Sequence, residues 1–349
     1  MKIAQHYSLE RHNTFGLRVK ARCFVEYESE GDLQNILHDK YFHELQSLHI
    51  GQGSNLLFLG DVDGVVLHSA IRGIELAGET DETALLRVGA GEVWDDVVAY
   101  AVAKGWGGIE NLSLIPGETG AAAVQNIGAY GAEIKDVVET VEAYSLLTSE
   151  KRVFTNEMCR YEYRHSFFRD ARHEPYIVTR VTLRLAKQPA LKLEYGNLRE
   201  RVFADTSPTP AGVREAVINI RRHKLPDPSE VGNAGSFFMN PLVSPTHFEQ
   251  LKRDFPDIPS FPARDGGMVK LSAGWLVEQC GLKGIRSGNV GTYPHQALVI
   301  VNYGQATGHE IARFAEHIRE QVERRFSVRL IPEVKYIGQE IPERYLPQE

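Results

Sequence analysis

Cysteine is scarce in this chain of 349 residues, which holds only Cys23, Cys159 and Cys280. The three are odd in number, lie far apart and form no C-x-x-C pair. This pattern argues against a disulfide framework and against a cysteine metal site. We therefore expect three free thiols, a reducing compartment and no bound metal.

Long hydrophobic runs are also missing. No apolar run approaches the roughly 18 residues that span a bilayer, and the longest strand-like stretch is 297–301. Residues 1–16 lack the apolar segment of a signal peptide. These absences predict a cytoplasmic protein with no membrane role.

An excess of basic residues is missing as well. Lys and Arg number 39 against 46 Asp and Glu, for a formal net charge of −7 at pH 7. Nucleic-acid binding depends on a basic surface, so a general role of that kind is excluded. The 42% of hydrophobic and 24% of charged residues are typical of a globular protein with a buried core. The length indicates two to three domains.

Several standard catalytic and phosphate-binding motifs do not occur in the sequence. It contains no P-loop, no H-E-x-x-H, no G-x-S-x-G and no EF-hand loop. Residues 51–56 begin like a dinucleotide fingerprint, but Leu56 takes the third glycine position and a strand-like segment follows. A Rossmann fold is therefore disfavoured.

Local start and stop signals predict the secondary structure that is present. Capping residues and apolar spacing predict helices over 30–40, 93–104, 210–225, 245–255 and 308–326. Alternating or continuous apolar residues predict strands over 64–68, 85–88, 177–185 and 328–337. Interleaved helices and strands without strict alternation predict an α+β fold of several domains.

Three segments rich in glycine and alanine stand out, at 51–55, 89–91 and 116–131. Small residues let the backbone approach a ligand closely, and consecutive N–H groups can hold a pyrophosphate. Together the three loops favour an extended, dinucleotide-sized cofactor. The alternative is that each glycine only forms a turn.

Four polar spots are candidates for chemistry. Arg164 lies among aromatic residues, Ser236 lies between Gly235 and Phe237-Phe238, Glu333 precedes the last strand, and residues 221–224 form a basic cluster. Arg164 would contact an anion, and Ser236 would be a hydroxyl donor in a dry site. Glu333 would be an acid, and residues 221–224 would be a phosphate clamp. Taken singly, each also has a structural explanation, such as a basic helix end that complements the helix dipole.

Seven motifs in register carry a family resemblance over residues 13–338. They are GQGSNLLF (51–58), IPGETGAAAVQNIGAYG (115–131), YRHSFF (163–168), KLPDP (224–228), GNAGSFFMNP (232–241), KLSAGWLVEQCGLKG (270–284) and PEVKYIG (332–338). The chain resembles the UDP-N-acetylenolpyruvoylglucosamine reductase family, and LEYGNL (193–198) resembles the tyrosine loop of its type I branch.

The resemblance implies a PCMH-type, vanillyl-alcohol-oxidase-like FAD-binding domain in two parts, followed by a C-terminal α+β substrate-binding domain. The implied boundaries are 1–75 with 327–349 returning, 76–220, and 221–326. FAD would be bound non-covalently, because residues 115–131 contain no His or Cys. The cofactor-binding residues implied by the motifs are Gly51, Gly53, Ser54, Asn55, Leu56, Gly89, Gly91, Pro116, Gly117, Gly120, Ala121, Gln125, Asn126, Ile127, Gly128 and Arg221.

The resemblance also implies a reaction. NADPH reduces FAD, and the flavin passes hydride to the vinyl carbon of a UDP-sugar enolpyruvyl ether in peptidoglycan precursor synthesis. Ser236 would donate the proton, while Arg164 and Glu333 would stabilise the enolate. Substrate contacts are expected from Tyr130, Tyr195, Lys224, Asn240, Lys270 and Gln296. A monomer is expected, with only small-molecule partners.

Two positions depart from the family pattern. Lys335 stands where some members have Arg, and Glu118 stands where small or apolar residues are frequent. Two alternative functions remain open: an oxidase of the same fold that uses oxygen, and a nucleotide-sugar-binding module or transferase without redox chemistry. Failure to bind flavin would favour the second alternative.

Overall fold

The computed structural model describes residues 1–43, 45–170, 172–205, 207–262 and 267–338. It divides into two compact units, each described by itself below. The first comprises Met1–Tyr7, Ala21–Gln52 and Asp63–Arg221, and the second comprises Ser8–Lys20, Gly53–Val62 and the chain from Arg222 onward. The three-domain division stays a prediction, and residues 339–349 of its returning segment lie outside the described residues.

The described residues form both helices and strands. The α-helices are α1 (Glu30–His38), α2 (Lys40–His43), α3 (Trp94–Ala103), α4 (Thr119–Gln125), α5 (Leu198–Asp205), α6 (Pro210–Lys224), α7 (Pro245–Asp254), α8 (Ala273–Gln279) and α9 (Gly308–Phe326). The strands of the first 160 residues are β1 (Lys2–Ser8), β2 (Lys20–Tyr27), β3 (Ser47–Ile50), β4 (Leu56–Phe58), β5 (Val62–Ser69), β6 (Ile74–Glu79), β7 (Thr83–Gly89), β8 (Gly128–Ala129), β9 (Ala132–Glu133), β10 (Val138–Ser145) and β11 (Lys151–Thr155). The later strands are β12 (Tyr176–Ala186), β13 (Gly232–Ser236), β14 (Leu242–Val243), β15 (Ser260–Pro262), β16 (Val269–Leu271), β17 (Arg286–Ser287), β18 (Val290–Tyr293), β19 (Gln296–Asn302) and β20 (Lys335–Ile337).

The first unit is built on two sheets. One has the order β1-β2-β5-β3, with β3 parallel to β5, and the other has the antiparallel order β11-β10-β12-β7-β6. Apolar residues of α3 and α4 pack with β7, β10 and β12 in one core. Trp94 is fully buried there, and its Nε1–H donates to the Leu112 carbonyl at 2.9 Å. Burying the ring while pairing its N–H makes Trp94 an anchor of this core.

The second unit contains the antiparallel sheet β13-β19-β18-β17, the small sheet β14-β16-β15 and the parallel pair β20-β4. Helix α9 buries Ile311, Ile318 and Val322 and packs against β4, β18 and β19. Those three residues recur at helical spacing, so one apolar stripe faces the sheet. The amphipathic pattern in the sequence thus determines which face of α9 is buried.

Cap signals located the helix starts correctly. The Ser29 hydroxyl accepts from the Asp32 N–H, the Ser244 hydroxyl accepts from the His247 N–H, and Thr307 and Glu310 form a reciprocal capping box. The starts predicted for α1, α7 and α9 are therefore confirmed. Side-chain caps satisfy N–H groups that have no partner within the helix, which is why so local a signal succeeds.

Two sequence predictions of secondary structure are wrong. The strand predicted over 328–337 is only Lys335–Ile337, and the preceding residues pair through a single bridge between Phe238 and Pro332. The small-residue run 116–131 is not a continuous loop, because α4 occupies part of it. Its alanines favour helix, and Asn126 ends the helix in the left-handed conformation at φ 46°.

Among the described residues, no helix is long and apolar enough to cross a membrane. The three cysteines are free thiols; Cys23 and Cys159 are buried, and Cys280 is half-buried. Burial raises the pKa of each thiol above its ordinary value. A buried thiol with a raised pKa is a poor nucleophile.

The first residue of α9 packs directly on the backbone of β4. A Cβ added at Gly308 would lie 1.8 Å from the Phe58 carbonyl oxygen, whereas one added at Gly60 would meet nothing within 4 Å. We predict that Gly308→Ala lowers the free energy of unfolding by about 1–3 kcal/mol, because the helix must move off the strand. Gly60→Ala should change it by less than about 0.5 kcal/mol. Urea denaturation measures both, and equal effects would contradict the packing argument.

Candidate functional site

Two of the predicted glycine segments lie side by side in the first unit. The Gly120 N–H donates to the Ala90 carbonyl at 2.9 Å, and the Thr119 N–H donates to the Glu92 carbonyl at 2.9 Å. The Trp94 N–H donates to the Gly117 carbonyl at 3.0 Å. Backbone hydrogen bonds thus join 90–94 to 117–120, and the start of α4 is held against the end of β7.

This close approach requires the absence of side chains. A Cβ at Gly120 would lie 2.8 Å from the Ala90 Cβ, and a Cβ at Gly91 would lie 2.3 Å from the Ser69 carbonyl oxygen. Neither gap holds a further carbon atom without a shift of the backbone. These glycines therefore do more than form turns, since they allow several chain segments to meet at one place.

Gly51 joins the same region. A Cβ there would lie 3.1 Å from Oε2 of Glu118 and 3.3 Å from the Ala121 Cβ. Glu118 is buried, and its Oε1 lies 3.0 Å from Nε2 of His68. The pairing with His68 gives a physical reason for the carboxylate at position 118, where the family pattern has small or apolar residues.

The end of α4 positions Arg164. The Asn126 side chain donates from Nδ2 to the Glu162 carbonyl at 2.7 Å, which ties 126 to the segment before Arg164. Nη2 of Arg164 donates to the Gly128 carbonyl at 2.7 Å, and its guanidinium lies 5.3 Å from the Tyr163 ring centre. These hydrogen bonds hold Arg164, the predicted catalytic cation, beside the segment that contains the predicted cofactor residues Gln125, Asn126, Ile127 and Gly128.

Tyr130, Tyr195 and Arg221 form a second cluster in the first unit. The two tyrosine rings meet edge to face at 5.8 Å. A pocket of about 360 Å³ lies beside them, lined by Tyr130, Gly131, Lys192, Glu194 and Tyr195. Burial raises the pKa of Tyr130, and the neighbouring Arg221 opposes that rise.

Arg221 offers a test of whether this unit fits a bound cofactor. Its Nε atom is buried and has no hydrogen-bond partner among the residues that the structure describes. A buried N–H without a partner is costly, so it fits a position where a ligand supplies the acceptor. An FAD oxygen or nitrogen is such an acceptor, and the residues present fit this group.

The second unit brings Ser236 beside Glu333. Ser236 ends β13, and the Phe237 carbonyl accepts from the Glu333 N–H at 2.8 Å. The Asn55 Nδ2 donates to the Glu333 carbonyl at 3.1 Å, and the Lys335 N–H donates to the Asn55 carbonyl at 3.0 Å. Residues far apart in sequence are held by this ladder. Arg164 belongs to the other unit.

Ser236 is exposed, although Phe237 and Phe238 beside it are buried. The apolar pair that follows Ser236 therefore does not cover its hydroxyl, and the dry site stays a prediction. The two phenylalanines turn inward into the core instead, where Phe237 contacts the rings of Phe15 and Tyr336. Gly235 precedes the serine at φ +67°, a conformation that favours glycine.

The other predicted residues of the second unit occupy several elements. Gly53 has φ +69°, Ser54 follows it and Leu56 begins β4. Three predicted substrate residues lie in or beside strands: Asn240 accepts from the Ala273 N–H at 3.0 Å, Lys270 lies on β16, and Gln296 accepts from the Leu298 N–H at 3.3 Å. Lys224 is exposed at the end of α6. In the first unit, Pro116 and Gly89 flank the paired segments described above.

The sequence analysis missed His68 and its second partner, Glu26. The two nitrogens of His68 lie 3.0 Å from carboxylate oxygens of Glu26 and Glu118, which are 42 and 50 residues away. No local pattern connects residues at such separations. The unusual Glu118 was the one signal that pointed to a missing partner. Among the described residues, no group of three or more His, Cys, Asp or Glu could hold a metal ion.

Comparisons with known proteins place these features in a family. Residues 21–155 match the model of an FAD binding domain, and residues 227–337 match the C-terminal domain of UDP-N-acetylenolpyruvoylglucosamine reductase. A relative from Porphyromonas gingivalis with that enzyme's name is 49% identical over 97% of this chain and 100% of its own length. A relative of the same name from Pseudomonas aeruginosa is 44% identical, over 95% of this chain and 98% of its own length.

A solved structure shows the same fold. UDP-N-acetylenolpyruvylglucosamine reductase (MurB) from Thermus caldophilus matches with a TM-score of 0.66 and 24% identity, over 97% of this chain and 98% of the other. The predicted α+β fold with an FAD-binding domain is confirmed, and FAD is the cofactor. The chain therefore belongs to the UDP-N-acetylenolpyruvoylglucosamine reductase family, the FAD-dependent oxidoreductases of peptidoglycan precursor synthesis.

Proposed function

We propose that the chain catalyses the NADPH-dependent reduction of UDP-N-acetylglucosamine enolpyruvate to UDP-N-acetylmuramate, as a cytoplasmic monomer. The observation that carries the proposal is the 49% identity to a reductase of this name over 97% of the chain. The contact between the Glu333 N–H and the Phe237 carbonyl supports it, because it holds two of the three predicted catalytic residues close together.

When bound, FAD would supply the hydride chemistry for the vinyl carbon, with NADPH as the source of the electrons. Addition of hydride moves negative charge toward the substrate carboxylate. Arg164 is proposed to stabilise that charge, because a guanidinium donates several hydrogen bonds in a fixed plane. Its bond to the Gly128 carbonyl at 2.7 Å supports this role by fixing one edge of the guanidinium and leaving the cation oriented.

Ser236 is proposed to protonate the second carbon of the substrate double bond, the one that does not accept the hydride. Glu333 is proposed to hold in place the part of the substrate that carries the enolate oxygen. A serine hydroxyl is a weak acid, so the transfer requires a strongly basic enolate in a site without bulk water. Ser236 is exposed in the chain alone. Substrate and cofactor must therefore cover the hydroxyl when they bind.

The proposed substrate contacts divide by chemistry. Lys224 supplies a flexible positive charge for the diphosphate, whereas Tyr130 and Tyr195 supply aromatic surface beside the pocket. Tyr195 is 52% exposed, so it has surface left to bury against a ligand. Asn240, Lys270 and Gln296 add polar contacts from the second unit.

An anaerobic absorbance experiment tests the function as a whole. The flavin band near about 450 nm should bleach when NADPH is added and recover when the enolpyruvyl UDP-sugar is added. Bleaching without recovery would reject the substrate. Recovery only on admission of oxygen would favour the oxidase alternative. Absence of a flavin band after addition of FAD would overturn the proposal entirely.

Substitution of the proposed proton donor separates the two half-reactions. We predict that Ser236→Ala leaves flavin reduction by NADPH at the wild-type rate and slows reoxidation by substrate by about 10²–10⁴-fold, the usual contribution of a general acid. Stopped-flow absorbance measures each step separately. Ser287→Ala, at an exposed serine on β17, is the matched control and should change neither rate. Normal reoxidation in Ser236→Ala would remove this residue from the mechanism.

The diphosphate clamp is tested at the end of α6. Lys224→Ala should raise the KM for the UDP-sugar about tenfold with little change in kcat, because a lost charged hydrogen bond weakens ground-state binding. Arg222→Ala removes the same charge two residues away, where the side chain is also exposed. We expect that control to change KM less than twofold. Equal effects of the two variants would indicate that the end of α6 attracts the substrate through its overall positive charge and not through a specific contact of Lys224.

A further inference from the structure

His68 is buried between two carboxylates in the first unit. It lies on β5 and is 7% exposed, with Nδ1 at 3.0 Å from Oε2 of Glu26 on β2. Its Nε2 lies 3.0 Å from Oε1 of Glu118, which is 3% exposed. A neutral imidazole has one N–H, so only the imidazolium can donate to both carboxylates at once. The geometry therefore favours a charged histidine.

The surroundings of His68 contain one further titratable pair. His49 on β3 accepts or donates a hydrogen bond at 2.8 Å with the Tyr27 hydroxyl. Burial, together with the positive charge of His68, lowers the pKa of His49 to about 3, so His49 is neutral. Burial raises the pKa of Tyr27, which keeps its hydroxyl protonated. Glu26 and Glu118 are charged groups that contact His68, and the Phe24 ring stacks on its imidazole with the ring centres 6.1 Å apart.

Glu118 transmits the position of His68 to the predicted FAD loops. Its Oε2 packs against Gly51 and it directly precedes α4, whose first N–H groups donate to the Glu92 and Ala90 carbonyls. The carboxylate is thus held on one side by the imidazolium and on the other side by the Gly51 loop. Movement of Glu118 would disturb every segment that meets at this point.

We propose that the Glu26–His68–Glu118 cluster is a clamp that positions the predicted FAD-binding loops, with protonated His68 as its positioning residue. The proposal rests on the proposed FAD contacts of Gly51, Gly120 and Ala121. FAD carries a negatively charged pyrophosphate, and an uncompensated carboxylate close to its loops would oppose binding. The imidazolium offsets the charge of Glu118 and fixes the position of its side chain.

The sign of the pH dependence follows from the direction of the pKa shift. Burial favours neutral His68, but hydrogen bonds and charge from Glu118 and Glu26 outweigh it and raise the pKa above its ordinary value of 6.5. The contribution of the clamp is therefore complete below pH 6.5 and is lost as pH rises through the raised pKa of His68. FAD affinity should fall over the same range.

The test measures FAD affinity of the apoprotein from about pH 6 to about pH 9 by quenching of flavin fluorescence. We expect the wild type to weaken with rising pH. His68→Gln should bind FAD at least tenfold more weakly at the low end and show a flat profile, because Glu118 keeps an unbalanced charge. Wild-type affinity and an unchanged pH profile in His68→Gln would overturn the proposal.

Two further variants separate positioning from folding. The double variant His68→Gln/Glu118→Gln should recover most of the lost affinity, since two amides can hydrogen-bond without net charge. His49→Gln alters a neighbouring half-buried histidine and should keep the wild-type pH profile. If His68→Gln does not fold, Glu118→Gln alone decides: a flat profile supports the clamp and a wild-type profile rejects it. Wild-type protein that bound no FAD would instead reject the proposed cofactor contacts.

Discussion

The close approach of backbone to backbone at the glycine positions is the constraint on which the first unit depends. Where Gly91 meets the Ser69 carbonyl and Gly120 meets Ala90, there is no room for a single additional carbon atom. Tight main-chain contact lets the segments exchange hydrogen bonds directly, as between Gly120 and Ala90 at 2.9 Å. Loops that are pinned in this way keep their shape when no ligand is bound, which lowers the ordering cost of binding.

The second unit uses main-chain pairing for a different purpose. The backbone of Glu333 is tied to Phe237 and to the Asn55 side chain, which fixes the position of this residue. Phe237 and Phe238 anchor the same ladder in the core. The exposed Ser236 thus directly precedes two residues whose rings are anchored in the core. A support of this kind fixes the backbone of a residue that is proposed to act on a ligand.

How much of the fold and of the candidate site could be predicted depends on how far apart in sequence the interacting residues lie. The starts of α7 and α9 followed from Ser244 and Thr307, because a cap is formed within four residues. Helix α4 was missed because its small residues form no polar and apolar faces. The prediction of the catalytic residues rests only on family motifs. Glu26 and His68 carry no pattern at all, since their contact exists only after β2 and β5 pair in the sheet.

The Glu118 position shows how a departure from a family pattern is accommodated. Removing a carboxylate from water costs free energy. The attraction within a buried ion pair offsets that cost but adds little net stability. If packing were the only requirement, the small residues that are frequent at this position would satisfy it equally well. The imidazolium of His68 compensates this charge, Glu26 pairs with the other ring nitrogen of His68, and the carboxylate of Glu118 lies beside Gly51. An arrangement that adds little to stability, yet joins a sheet to three loops that are predicted to bind FAD, is better explained by the geometry that it imposes on those loops than by the stability that it adds.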